Sequence, residues 1–298
     1  MDRDPVARQR VLELETAFRA RMETGVGALP LASAKFARFK TSPYVLLMHS
    51  MMNEYSSISQ IEHDILPAKL FSSMETSAGK MIEDVTLPIY GWEVVPSAMH
   101  SAYSALDGRK RAGDVLTVAT LKSGPTCLND EMAENFADAV LAHAPRWAKD
   151  YRTSVVEFTY GVLYGTPNQS NKKDWHILRN LWDKRQGQDF LLSPEGCWQA
   201  TFTYEGIQIR AAIRIGTDWW TYLGGAPSTN MEIWIAMIRA CVAVGPPDPP
   251  GHRYTIQDLA DIVSLESVPS SFNVSVLQRG QLQWLFFVAR HFCDKLVP

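Results

Sequence analysis

The chain has 298 residues and a formal charge of −3, from 29 Lys and Arg against 32 Asp and Glu. That length supports one large domain, or a core domain with an appended lobe, and the charge argues against a nonspecific nucleic-acid coat while leaving room for a DNA enzyme that concentrates its cations in a cleft. With 46% hydrophobic residues, no apolar run of membrane-spanning length and a charged N-terminus unlike a signal peptide, the composition fits a soluble protein outside the membrane.

In chain order, residues 6–23 carry apolar side chains at helical spacing, and residues 43–52 read as a buried helix whose methionines fill core. A second helix is expected from Pro67 to about Val85, carrying Glu75, Gly79 and Glu83. From Ile89 to about Ala105 the chain reads as strand, with Tyr90, Trp92, Val94 and Val95. Asn129 or Asp130 is a plausible N-cap for a helix with acids in its first turn. Residues 155–164 give the strongest strand pattern, followed by a polar loop and a helix at 174–185 with Trp175, Leu178, Leu181 and Trp182 inward. Residues 198–223 read as a second hairpin turning at Glu205-Gly206, and residues 231–244 as an apolar helix. The Pro-rich run 245–251 reads as a linker. Beyond it a capping pair, Thr255 and Asp258, opens one helix, and residues 277–296 form another.

The chemistry concentrates in residues 104–134. A turn at Ala112-Gly113-Asp114 is followed by the apolar run 115–121, then Lys122, then the breakers Ser123-Gly124-Pro125. A hairpin centred on Gly113 sets Asp107 opposite about residue 120, roughly 5 Å away, so the acid and Lys122 share a patch. Asp114 lies about 26 Å from Lys122 along the strand and is a turn residue. Four scattered cysteines make no CxxC pair or zinc spacing, seven histidines make no ligand pair, and no nucleotide-binding or nucleophile-elbow motif occurs. The cysteine usage fits a reduced, cytoplasmic protein.

A helical Gly79-x-x-x-Glu83, then Asp107, then Thr120-x-Lys122 on the next strand resembles the PD-(D/E)xK nuclease superfamily, and within it the type II restriction endonucleases. The resemblance covers roughly residues 65–180. It implies an α/β fold, a mixed central β-sheet flanked by helices with a restriction-endonuclease-like core at about 65–185. That core would belong to a nuclease domain, 1–245, with a largely helical N-terminal part; a helical C-terminal extension, 246–298, follows the linker. It implies an endonuclease cutting double-stranded DNA at a short site with Mg²⁺, as a homodimer. Asp107 and Lys122 are the catalytic candidates, and Glu83 a second carboxylate or second-metal residue.

Thr120 stands where the family carries an acid. Some members move that carboxylate to the following helix, which nominates Glu134, or Glu131, as the partner of Asp107 in holding the metal. The alternative is a dead site on a DNA-binding module, and a repair nuclease without sequence specificity also fits. Arg109 and Lys110, beside Asp107, and Asn168, Gln169, Asn171, Lys172 and Lys173 in the loop after the strong strand are the DNA-binding candidates, since amides read base edges and cations grip phosphates.

Overall fold

The computed structural model describes residues 5–28, 52, 58–95, 106–189, 191–192, 199–242, and the single positions 279, 282, 283 and 286. The expected helices at 43–51, 255–263 and 277–296, the linker and the proposed domain boundary fall essentially outside them. The helices are α1 (Pro5–Ala28), α2 (Ile58–Ile89), α3 (Asp130–Tyr151), α4 (Lys173–Lys184), α5 (Thr217–Gly224) and α6 (Thr229–Val242). The strands are β1 (Glu93–Val94), β2 (Gly108–Ala112), β3 (Val115–Lys122), β4 (Val155–Val162), β5 (Leu191–Leu192), β6 (Gln199–Tyr204) and β7 (Ile207–Ile215). None of the described helices is long and apolar enough to cross a membrane.

The strands form one mixed sheet in the order β1-β2-β3-β4-β7-β6-β5. Two tight hairpins bracket its centre. In β2–β3, Ala112 pairs with Val115, and Gly113 supplies the positive φ (+60°) that a primed two-residue turn needs at its first position. In β6–β7, Glu205 and Gly206 both have positive φ, as a type I′ turn requires. Between the hairpins, β4 runs parallel to β3 and to β7. Parallel neighbours need crossovers, and helices covering both faces leave β4 almost wholly buried.

Strand alternation divides the core. Leu116 and Val118 face α3 and α4, packing with Val140, Trp147, Ile177 and Leu181. Ala119 and Leu121 face the opposite side, with Leu14, Phe18, Leu87, Trp219 and Trp220. Arg10 of α1 clamps Glu232 of α6 through two hydrogen bonds of 2.7 and 2.8 Å, and Tyr90 donates a third to the same carboxylate at 3.0 Å. That buried network fastens the N-terminal helix to the second face.

Three expectations need correction. Helix α2 starts nine residues before Pro67 and runs on to Ile89, so Tyr90 and Trp92 are buried residues of the connection that follows it, and of the described residues 89–95 Glu93–Val94 pair as strand. Packing against β2 and the second core extends that helix past the point where β-branched composition suggested a strand. The stretch 217–223 is not hairpin but α5. Its Trp219 and Trp220 are core residues, and the Trp220 indole donates to the Leu163 carbonyl at 2.8 Å. Trp182 points outward, 47% exposed, and Ile177 takes the inward place beside Leu178 and Leu181.

Gly216 makes the switch from β7 to α5. Its φ is +55°, and a Cβ there would stand 2.1 Å from the Gly165 carbonyl oxygen. Both strain and collision with backbone follow any substitution. Gly216→Ala is therefore expected to cost at least about 2 kcal/mol in thermal or urea unfolding.

Candidate active site

The β2–β3 register aligns Gly108 with Ala119, so Asp107 and Thr120 stand next across the hairpin. The Asp107 backbone N–H donates to the Ala119 carbonyl at 2.8 Å. One step further the Asp107 carboxylate itself accepts the N–H of Leu121, at 2.7 Å. This pins the acid one residue from Lys122, at the carboxyl end of β3. Lys122 projects on the α3 side, its Nζ 5.9 Å from the centre of the Phe136 ring, and its ammonium makes no hydrogen bond or ion pair among the described residues. A half-buried ammonium with only an aromatic face beside it is available for a ligand.

Helix α2 supplies the second wall. Gly79 lets it press onto the turn after Lys122: a Cβ at Gly79 would lie 2.6 Å from Ser123 Oγ. One turn on, Glu83 is buried (8% exposed) and meets Lys80 at 3.3 Å. Burial first, and the charge of Asp107 second, push the Glu83 carboxyl up to about 7. The structure thus sets Glu83 beside Asp107, and holds the Asp107 carboxylate on the Leu121 N–H one residue from Lys122, at the carboxyl end of β3, where open α/β sheets place ligands.

The other candidates lie elsewhere. Glu134, on the outer side of α3, is 61% exposed and held by Lys184 of α4 at 3.3 Å. Glu131 is also exposed. Arg109 donates to Glu93 at 2.8 Å and stacks over Tyr151, the last residue of α3, which directs it away from Lys122. Lys110 reaches the opposite face and donates to the Tyr90 carbonyl at 3.2 Å. Asp114 is indeed in the turn; its carboxylate accepts from the Ser154 hydroxyl and N–H, bonds that hold it below the usual carboxylate range.

The loop after β4 spends much of its polarity on itself. Gln169 accepts the Thr166 N–H at 2.9 Å, and Asn171 donates to the Leu128 carbonyl at 3.0 Å. Lys172 donates to the Pro167 carbonyl at 2.6 Å, and Lys173 grips both oxygens of Asp130 at 2.6 and 2.8 Å. Asn168 is exposed. The loop stands at the same end of the sheet as Lys122, with its cations shaping it.

Sequence reasoning missed Tyr164, which is 41% exposed just past β4 and lies against Gly124. A tyrosine closing an apolar strand reads as core; the signal was the glycine of Ser123-Gly124-Pro125, whose lack of a side chain makes its room.

Divalent-metal chemistry can be tested against these residues. Among the described residues no group of three or more His, Cys, Asp or Glu converges, so any ion would rest on two carboxylates. Mg²⁺ accepts such a set, because it holds several waters and takes one or two protein carboxylates. The raised carboxyl of Glu83 beside Asp107 is a like-charge pair that a bound cation would relieve, and the hard oxygens suit Mg²⁺. Compared with protein-family models and with curated proteins, the sequence gives no significant match.

Proposed function

We propose that the protein is a Mg²⁺-dependent endonuclease that hydrolyses double-stranded DNA at a short specific site and acts as a homodimer. The observation that carries this reading is the pairing of Glu83 with Asp107 and the anchoring of Asp107 on the Leu121 N–H, one residue before Lys122. The order of elements supports it: helix α2, the antiparallel strands β1, β2 and β3, the crossover α3, then β4 parallel to β3. A mixed sheet flanked by helices is what the resemblance implies. Two cysteines among the described residues, Cys127 and Cys241, are free thiols, in keeping with the cytoplasmic location such an enzyme would have.

Glu83 and Asp107 would hold Mg²⁺ with the help of a main-chain carbonyl near Leu121. The chemistry the ion supplies when bound is polarisation of the scissile phosphate and a more acidic water. The Leu121 N–H fixes the Asp107 carboxylate in place, which lowers the cost of ordering it. Glu83, whose carboxyl is pushed up to about 7, would have to be deprotonated to hold the ion. Lys122, with three donors, orients the attacking water and offsets charge building on the phosphate. Cutting both strands of a palindrome needs two such sites about a two-fold axis, hence the dimer.

A second reading has its own observation. Thr120, 1% exposed, fills the place where the family carries an acid, as a degenerate nuclease serving only to bind DNA would have it. Incubating phage DNA with the protein in Mg²⁺ or in EDTA separates the readings. Discrete bands in Mg²⁺ alone are expected. Smears would instead indicate a nuclease without sequence specificity, and salt-dependent binding without cleavage would establish the binding module.

A further inference from the structure

On the sheet face away from α3 and α4, a pocket of about 100 Å³ opens over β4, β7 and β6. The ladders lay out its floor. Thr159 of β4 pairs with Ala212 of β7, and Ala212 pairs with Gln199 of β6, so the three form one row across the sheet. Strand alternation sets Arg210 and Arg214 on the same face, two residues to either side of Ala212, and the small methyl between them leaves the gap. Side chains of the fold orient both guanidiniums. Arg210 donates to Glu157 at 2.8 Å, and Glu157 also accepts from Tyr222 at 3.2 Å and from Thr117 at 3.4 Å. Arg214 lies over the Tyr222 ring, 4.1 Å from its centre. It is the less satisfied of the two arginines. Its contacts with the half-exposed Asp218 are both 3.3 Å, and its buried Nε has no hydrogen-bond partner among the described residues.

We propose that this pocket binds a small free oxyanion of the phosphate type, gripped between the Arg210 and Arg214 guanidiniums above Ala212. Size limits the ligand first, since pockets for drug-sized molecules start at about 300 Å³. Charge comes next. Glu157 is committed to three donors inside the fold, whereas Asp218, screened by solvent, is the acid that an incoming anion displaces from Arg214. Two guanidiniums match a dianion, and the forked donors of arginine take phosphate oxygens in pairs. The Thr201 hydroxyl and the Gln199 amide, also in the lining, supply neutral donors. The site stands apart from the nuclease reading, because Lys122 projects on the α3 side and the pocket opens on the other.

The test is titration calorimetry of inorganic phosphate into the full chain at fixed pH and ionic strength, for the wild type, Arg214→Gln and Ala212→Leu. One-site binding with a Kd of about 1 mM or tighter is expected in the wild type, and binding at least about tenfold weaker in both variants. Ala212→Leu fills the gap while leaving both arginines and their partners in place, so its loss reports the space and not the charge. Melting curves in chloride check that each variant folds, and either variant alone suffices for the comparison. No saturable binding in the wild type, or wild-type affinity in a folded Ala212→Leu, would overturn the proposal. A labelled duplex separates a free anion from a phosphate of the DNA backbone. Ala212→Leu should bind duplex as the wild type does, and weakened binding would overturn the free ligand in favour of a backbone contact.

Discussion

Lys122→Met is expected to slow DNA cleavage about 10³-fold while leaving duplex affinity within a few-fold and the melting temperature close to wild type. The reasoning starts from what the lysine does for the fold, which is little. Its ammonium has no hydrogen-bond or ion-pair partner among the described residues, and its contact is the Phe136 ring at 5.9 Å. Methionine keeps an unbranched apolar stem over that ring, so packing survives while the charge is lost. Single-turnover cleavage of phage DNA in saturating Mg²⁺, beside thermal melts, gives both numbers. Full activity in Lys122→Met would remove the lysine from the site. Glu134→Ala belongs in the same series. Its exposed pair with Lys184 contributes no more than about 1 kcal/mol, and with Glu83 as the partner of Asp107 it should cleave normally. Loss of cleavage in Glu134→Ala would move the second carboxylate to α3.

Much of the site's frame was legible in sequence because it is local. Gly113 and the apolar run after it set the hairpin, and counting residues back from the turn gives the Asp107–Thr120 register that the ladder shows. Asn129 or Asp130 was readable as an N-cap, and it is Asn129 that accepts the Met132 N–H, at 2.8 Å. What the sequence hid depends on tertiary placement. The side of α3 on which Glu134 lies is fixed by Lys184, fifty residues away, and a helical wheel knows nothing of that partner. Glu83 was marked by the Gly79-x-x-x-Glu83 spacing, but its place beside Asp107 depends on the close approach that Gly79 permits onto Ser123. The amides and lysines after β4 carried the right composition for DNA, yet Gln169, Asn171 and Lys173 are tied to Thr166, Leu128 and Asp130. Composition cannot distinguish a loop that binds a ligand from one that binds itself.

Glu83→Gln is expected to stabilise the protein at pH 8 and to make no difference near pH 4.5. In the unfolded chain Glu83 titrates at 4.5; in the fold, burial and the charge of Asp107 carry it to about 7. Between those values the folded protein keeps a proton that the unfolded chain has released. Stability therefore falls as pH rises through that window, and above pH 7 the full cost, on the order of 3 kcal/mol, is present. Glutamine has nearly the same shape and no charge, so it escapes the cost. The ion pair given up with Lys80 is worth little, that side chain being 46% exposed. Melting curves from pH 4.5 to 8 should show the variant several degrees above wild type at the alkaline end and the two converging at the acid end. Adding Mg²⁺ at pH 8 should raise the wild type and leave Glu83→Gln nearly unmoved, with the wild-type gain shrinking toward pH 5 as protons compete for the carboxylate. A variant no more stable than wild type at pH 8 would show that burial and the charge of Asp107 do not raise the Glu83 carboxyl. The expected result would mean that the fold bears a destabilising carboxylate in its interior, a cost that a ligand-holding role for Glu83 would account for.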